Sequence, residues 1–556
     1  MIGRVDATLR KAEAIDGLLL VAAVWLLATR YVFELGFYSD DWSFLATMFL
    51  SEDQSPSGLF RALQAAHDNT LRPVQWLALV GLYELFGLQP TGYHVFNAGM
   101  LSLGAVLFYF VMRELRQPRI LAVAVPLMYA LLPHYSTDRF WISTFQANVS
   151  MCLYFLSLFA DLKTLRSDTT RPWRWKALSL ASALASGFAY EVFLPLLLLN
   201  SILVLYLGRA GGWLRTDGRH APMKLLLLSG TTVAAVLSVV IFKALVARRA
   251  TGGVHIRSYL DWLVGQLLRA FWVSYDSHLL QIPRTVWRIV SDYANWGDIA
   301  TAGVVAVASF AYLYKLGGAA KESGVAAPQR VVAYYLGLGI IAFVAGHSLF
   351  PLDPTVSGVN NRAAIAASVG VALSFAGLGG LVAFLGPSRA RRAMFCGVVV
   401  VAATSGFLTI SAEAKFWVGS YRLQTRILDD IRDHVPSIPR GSTVILDGAC
   451  PFNGPAVVFN SDWDLSGALQ ILYGHSDIRA NVVASALRVD EDGVAIRKAA
   501  EYIVYPYRQL FVFHAGRKER FDLVDAPSAR NYFDIVSGDV VSRCPPGEDG
   551  LGVEIF

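Results

Sequence analysis

Apolar runs alternate with short polar intervals along most of the chain. They fall at 15–33, 92–112, 120–133, 142–162, 177–190, 191–207, 224–246, 299–314, 331–350, 363–385 and 394–411. A helix rises about 1.5 Å per residue and a bilayer core is about 30 Å thick, so runs of this kind read as membrane spans. The pattern predicts an α-helical polytopic membrane protein with about eleven transmembrane helices. A basic N-terminus (Arg4, Arg10, Lys11) leads directly into the first run, and no small-residue cleavage site follows. That reads as a retained first helix and not a removed signal peptide.

Polar segments at 34–91, 248–298 and 412–556 are too long to be mere connectors. In the second, Tyr259, Trp262, Leu263, Leu267, Phe271 and Trp272 predict an amphipathic helix lying along the interface. The third changes period, with β-rich stretches at 443–446, 502–505 and 510–513 between Gly, Pro and Asp turns. The expected organisation is a membrane-embedded catalytic domain over 1–411 followed by an extracytoplasmic α/β domain over 412–556.

Charge supplies the orientation. With Met1 in the cytoplasm, the inside loops carry Arg113, Arg116 and Arg119, then Lys163, Arg166, Arg171, Arg174 and Lys176, and later Arg389, Arg391 and Arg392. Short loops on the other side hold isolated cations such as Arg139 and Arg362. This satisfies the positive-inside rule for a plasma (inner) membrane protein whose C-terminal domain lies outside.

Composition agrees. The chain is 55% hydrophobic and 16% charged, against about a quarter charged in soluble domains. Its net charge of +6 reports topology and not a nucleic-acid partner. Four cysteines without a CxxC pair argue against a metal or redox cofactor. Cys450 and Cys544 both fall in the outer domain and are candidates for a disulfide, whereas Cys152 and Cys396 sit within spans as core residues.

The sharpest local signal is Phe37-Tyr38-Ser39-Asp40-Asp41-Trp42, just outside the first span. Adjacent carboxylates among aromatic neighbours are costly unless paired or used, and crowding raises the pKa of one of them, which suits a general base. Asp is also a common loop and helix N-cap residue, so the pair alone is weak. Other polar clusters fall on the same side of the membrane. They are His67-Asp68 with Arg72-Pro73, the string from Gly87 to Asn97, His134 to Trp141, Tyr190-Glu191, and Asn360-Asn361-Arg362. On this topology they converge on one site at the interface, where Arg can grip a phosphate bidentately. His94 and Asn97 serve equally well as interhelical bridges, Arg139 and Arg362 as snorkelling anchors, and Trp141 as a belt residue. A lone Glu191 beside an apolar run is harder to explain structurally.

The order of these features resembles the GT-C class of integral-membrane glycosyltransferases, and most nearly bacterial relatives of the protein O-mannosyltransferases that carry tetratricopeptide repeats. The likeness rests on Arg72-Pro73, then Gly87, Pro90, Tyr93, His94 and Asn97, then His134, Asp138 and Trp141, and on Arg362 leading into Ser368 and Gly370. It covers roughly the first 210 residues and a local stretch at 355–375. Tetratricopeptide repeats are absent, so a protein acceptor does not carry over, and Tyr190-Glu191 stands where that family has Lys-Glu.

The resemblance implies a polyprenyl-phosphate-linked sugar donor, with one sugar passed to a hydroxyl of a cell-envelope glycan, lipid or protein, and contact with membrane lipids. Asp40 would act as base in an inverting displacement, with Asp41 orienting the acceptor, binding a metal or exchanging roles with it. Arg362, Arg139, His134 and Glu191 would line the donor phosphate, and Arg72, His67, His94, Asp138 and Trp141 the substrates. A divalent ion such as Mg or Mn is compatible, but no cluster of three or more carboxylates demands one. The rival readings are a lipid-diphosphate glycan ligase of the same fold, a transporter or flippase, and a non-catalytic sensor. The absence of inverted repeats and of mid-membrane charges weighs against transport.

Overall fold

A computed structural model describes residues 2–66, 71–166, 171–209, 221–247, 264–265, 267–268, 271–272, 280–319, 328–349, 361–483, 487–498 and 501–537. Every apolar run expected to span the membrane is helical. These helices are α1 (Ile2–Ala28), α5 (Pro90–Glu114), α6 (Arg119–Leu131), α8 (Phe145–Leu165), α9 (Pro172–Ala189), α10 (Leu194–Arg209), α11 (Ala221–Ala247), α13 (Trp296–Ala319), α14 (Pro328–His347), α15 (Ala367–Leu385) and α16 (Arg391–His434). By length and composition, 7 helices among the described residues are long and apolar enough to cross a membrane. α6 falls short at 13 residues, with Pro126 inside it. Short helices fill the connections: α2 (Asp40–Phe49), α3 (Pro56–Ala66), α4 (Pro73–Phe86), α7 (Thr137–Phe140) and α12 (Ile282–Arg288). Tyr259, Trp262, Leu263 and His67 lie outside the described residues, as does Cys544. Cys450 is disulfide-bonded, while Cys152 and Cys396 are free and buried.

Buried polar groups tie the helices together where lipid offers no partner. At the end of the bundle away from the acidic pair, Asp16 accepts hydrogen bonds from Tyr109 (2.7 Å), Tyr312 (2.5 Å) and Arg119 (2.8 and 3.0 Å), joining α1, α5, α6 and α13. Lys176 bridges Asp161 (2.9 Å) and Thr232 (2.6 Å), joining α9, α8 and α11. α14 and α15 meet backbone to backbone, and a Cβ on Gly370 would fall 2.3 Å from the Phe343 amide nitrogen.

The chain passes residue 411 inside α16, which continues unbroken to His434 before the first strand. Beyond it, β1 (Thr443–Asp447) lies parallel to both β4 (Arg479–Val482) and β8 (Leu510–His514), and β9 (Glu519–Asp522) pairs antiparallel with β8. Two minor sheets pair β2 (Phe452–Asn453) with β3 (Ala456–Val457), and β5 (Leu487–Val489) with β6 (Gly493–Lys498) and β7 (Glu501–Pro506). Helix α17 (Asp462–Tyr473) connects β3 to β4. One apolar core is shared by the loop after α1 and this sheet. It contains Trp42, Leu45 and Met48 of α2, Trp76 and Leu79 of α4, Ile427 and Ile431 of α16, Val444 and Leu446 of β1, and Leu465 and Leu469 of α17. The C-terminal domain is therefore packed against the acidic-pair loop and is not tethered at a distance from it.

Candidate functional site

The loop from Gly36 to Asp41 is held from three directions. His94 bonds the Gly36 carbonyl through Nε2 (2.9 Å), the Tyr38 hydroxyl donates to the Trp417 carbonyl (2.8 Å), and Phe37 packs edge-on against Tyr93. The string that carries the family likeness supplies much of this. Gly87 ends α4 in left-handed geometry (φ 53°), Pro90 opens α5, and the Tyr93 hydroxyl donates back to the Gly87 carbonyl (2.8 Å). Asn97, one turn beyond Tyr93, donates to the Asp138 carbonyl (2.6 Å). His94 was expected to touch substrate. It is instead 1% exposed and spends its ring on the loop backbone, so it positions the pair.

The two acids have different surroundings. Asp41 is buried, and its Oδ2 accepts from the Tyr38 amide (2.9 Å) while Oδ1 accepts from the Ser143 amide (2.6 Å). It pins the first outer loop to the segment after Trp141. Asp40 is half-buried and is influenced by side chains, the Arg362 guanidinium through its charge and the Trp463 indole, which bonds the neighbouring Ser39 hydroxyl. Burial pushes Asp41 up to about 8, against the pull of those amides and reinforced by the charge of Asp40. Burial also raises Asp40, with Arg362 and then Trp463 opposing it. Burial thus favours the protonated form of Asp41 near neutral pH.

Immediately before the pair, Ser39 forms a strained corner leading into Asp40. Ser39 is buried with φ 45° and ψ −116°, a region L-residues rarely visit, at a cost of about 1–3 kcal/mol.

Arg362 opens a short turn after Asn361, whose side chain accepts from the Ala363 amide (2.9 Å). Its guanidinium lies 5.2 Å from the centre of the Trp141 ring, and its charge acts on Asp40, Asp138 and Tyr190. Asp138 is fully buried, and burial raises it well above the ordinary carboxylate value against the charge of Arg362. Asp40, Asp138, Trp141 and Tyr190 therefore surround a single guanidinium.

Beside them, Glu191 accepts from Arg72 at both oxygens (2.5 and 3.1 Å) and from Lys243 (2.7 Å), while Arg72 also lies 4.6 Å from the centre of the Tyr190 ring. Glu191, expected beside a donor phosphate, instead fixes two cations, and the triad keeps one net positive charge. Glu191→Gln is expected to destabilise the purified protein by about 3 kcal/mol, because two part-buried cations lose their shared counter-charge. A thermal melt in detergent checks it. Arg139, expected on the same phosphate, is 2% exposed and donates to the Ala130 carbonyl with its guanidinium over Tyr135. His134 is buried beside His347. Both brace the turn that carries Asp138.

Sequence reasoning passed over Lys243 and Trp463. A lone Lys near the end of an apolar run was the available signal for the first. Nothing local marked the second. Among the described residues, no group of three or more His, Cys, Asp or Glu is placed to hold a metal ion.

The raised Asp41 makes a pH prediction. Its unfolded carboxyl ionises near 3.8 and its folded one at about 8. Over that window the folded state holds the proton and the unfolded state does not, so stability falls as pH rises from about 4 to about 8. Melts at pH 5 and pH 8 should show the drop, and Asp41→Asn should flatten it.

The sequence matches no protein-family model and no curated protein. Among solved structures it is similar to ArnT from Cupriavidus metallidurans bound to undecaprenyl phosphate (TM-score 0.37, 14% identity, 84% of this chain and 86% of that one). It is also similar to the apo state of the same protein (TM-score 0.36, 13% identity, 86% and 87%).

Proposed function

We propose that the chain is a GT-C-class integral-membrane glycosyltransferase that moves a single sugar from a polyprenyl-phosphate donor to a hydroxyl of a cell-envelope glycan or lipid. The observation that carries this reading is the Arg362 guanidinium, seated over Trp141, whose charge acts on half-buried Asp40. A half-buried carboxylate raised by burial is suited to take a proton, and a guanidinium beside it is suited to meet charge that develops on a leaving group.

In this reaction Asp40 removes the proton of the acceptor hydroxyl as that oxygen attacks the anomeric carbon from the face opposite the phosphate. The sugar–phosphate bond breaks with inversion, and the polyprenyl phosphate leaves with the bonding pair. Arg362 neutralises the growing charge on the phosphate, stiffened by its stack on Trp141. The net positive Arg72–Glu191–Lys243 triad adds to the field, coupled to Arg362 through Tyr190. Asp41, its oxygens occupied by amides, holds the corner on which Asp40 stands. Cation placement in the loops supports putting this end of the bundle outside the cytoplasm.

The test is incubation of purified protein with a panel of undecaprenyl-phosphate monosaccharides and a crude envelope-glycan acceptor, reading released undecaprenyl phosphate with and without chelator. Release by wild type and its loss in Asp40→Asn is the expected result. Release of polyprenyl diphosphate from a lipid-diphosphate glycan would favour the ligase reading. No turnover with either donor class, and full complementation in cells by Asp40→Asn, would overturn the assignment.

A further inference from the structure

The C-terminal domain reaches the acidic pair itself. Helix α17 lies on α2 so closely that a Cβ on Gly467 would fall 2.6 Å from the Trp42 carbonyl carbon and oxygen and 2.7 Å from the Ser43 amide nitrogen. These are backbone atoms, which cannot step aside as a side chain can, so glycine is what allows this approach. Five residues earlier the same helix starts at a built cap. Buried Asp464 accepts from the amides of Asn460 (2.8 Å) and Ser461 (3.1 Å), fixing the first turn. That turn carries Trp463. Its indole N–H donates to the Ser39 hydroxyl (3.4 Å), next to Asp40, and its polarity opposes the upward push of burial on that carboxyl.

We infer that Trp463, docked by the Gly467 contact, is a positioning residue for Asp40: the C-terminal domain holds the strained Ser39–Asp40 corner and fixes the direction of the carboxylate. This rests on the reading of Asp40 as the base. The physics is direct. The corner is unfavourable in isolation and persists only where neighbours over-determine it. Asp41 supplies one side through the Tyr38 and Ser143 amides, and the indole N–H supplies the other. An N–H donor can bond the ionised acid, so it favours the charged, proton-accepting form. Seen this way, the outer domain is a working part of the site, contributed by residues more than four hundred positions away.

The experiment reads Asp40 without requiring turnover. Full-length protein in detergent is treated with dicyclohexylcarbodiimide, which modifies protonated carboxyls, and labelling of Asp40 is followed by mass spectrometry against pH in wild type and Trp463→Phe. Loss of the indole donor is expected to move the Asp40 labelling midpoint upward by about one pH unit. The same variant should shift the acid limb of the turnover profile upward while leaving the donor KM within about twofold, since Trp463 holds the corner beside the base. If Trp463→Phe fails to fold, benzothienylalanine at 463 keeps the bicyclic ring and removes only the N–H.

An unchanged Asp40 midpoint in either variant overturns the inference. A shifted midpoint in a protein that consumes no donor supports the positioning contact while the transferase reading fails, so the two failures are told apart.

Discussion

Asp40→Asn is expected to lower turnover by about 10²–10⁴-fold, the usual contribution of a positioned base, while the melting midpoint stays near that of wild type. Asp40 is half-buried and is reached by side chains, so a neutral isostere leaves the loop backbone in place. Asp41→Asn is expected to behave in the opposite way. One buried amide, of Tyr38 or Ser143, then faces an NH₂ group in place of an acceptor, at a cost of about 1–3 kcal/mol. Turnover and thermal melts on the same preparations separate base from brace. The pH profile of wild type carries a second mark. Because burial raises Asp40, activity should fall on the acid side of a midpoint above the ordinary carboxylate range, and rise as the group loses its proton.

The second large effect is at Arg362. Its removal to Ala is expected to cost about 10²–10³-fold in turnover, comparable to losing a preorganised donor at a developing anion. Lys should rescue little. A point charge on a flexible stem neither stacks on Trp141 as the planar guanidinium does nor offers a fork to phosphate oxygens. Single-turnover release of undecaprenyl phosphate by Arg362→Ala and Arg362→Lys checks this, and near-wild-type release by Lys would show that charge alone is enough.

Much of this was written in the chain. Each apolar run from 15–33 to 394–411 is a helix because its composition leaves no other way to satisfy the backbone in lipid. Asp40, Asp138, Trp141, Arg72 and Arg362 do assemble at one end, since each flanks a span and the spans alternate in direction. The roles were harder to read. His94, Arg139 and Glu191 look like ligands in a string of letters. Their neighbours, a carbonyl of the first loop, a carbonyl of α6 and a pair of cations, come from positions 58, 9, and 119 and 52 residues away. Lys243 hid inside a run that scored only as a span. Trp463 meets Asp40 because a glycine lets two backbones touch, and such contacts have no local signature.

The unbroken α16 has a mechanical meaning. At 44 residues it is about 66 Å long, roughly twice the thickness of a bilayer core. It packs inside the bundle at one end and inside the second apolar core at the other, with no proline along it and with Gly397, Gly406 and Gly419 all kept in helix. Such a rod behaves as a mast. A force on the C-terminal domain is passed along one continuous helix into the bundle, as a tilt of that helix.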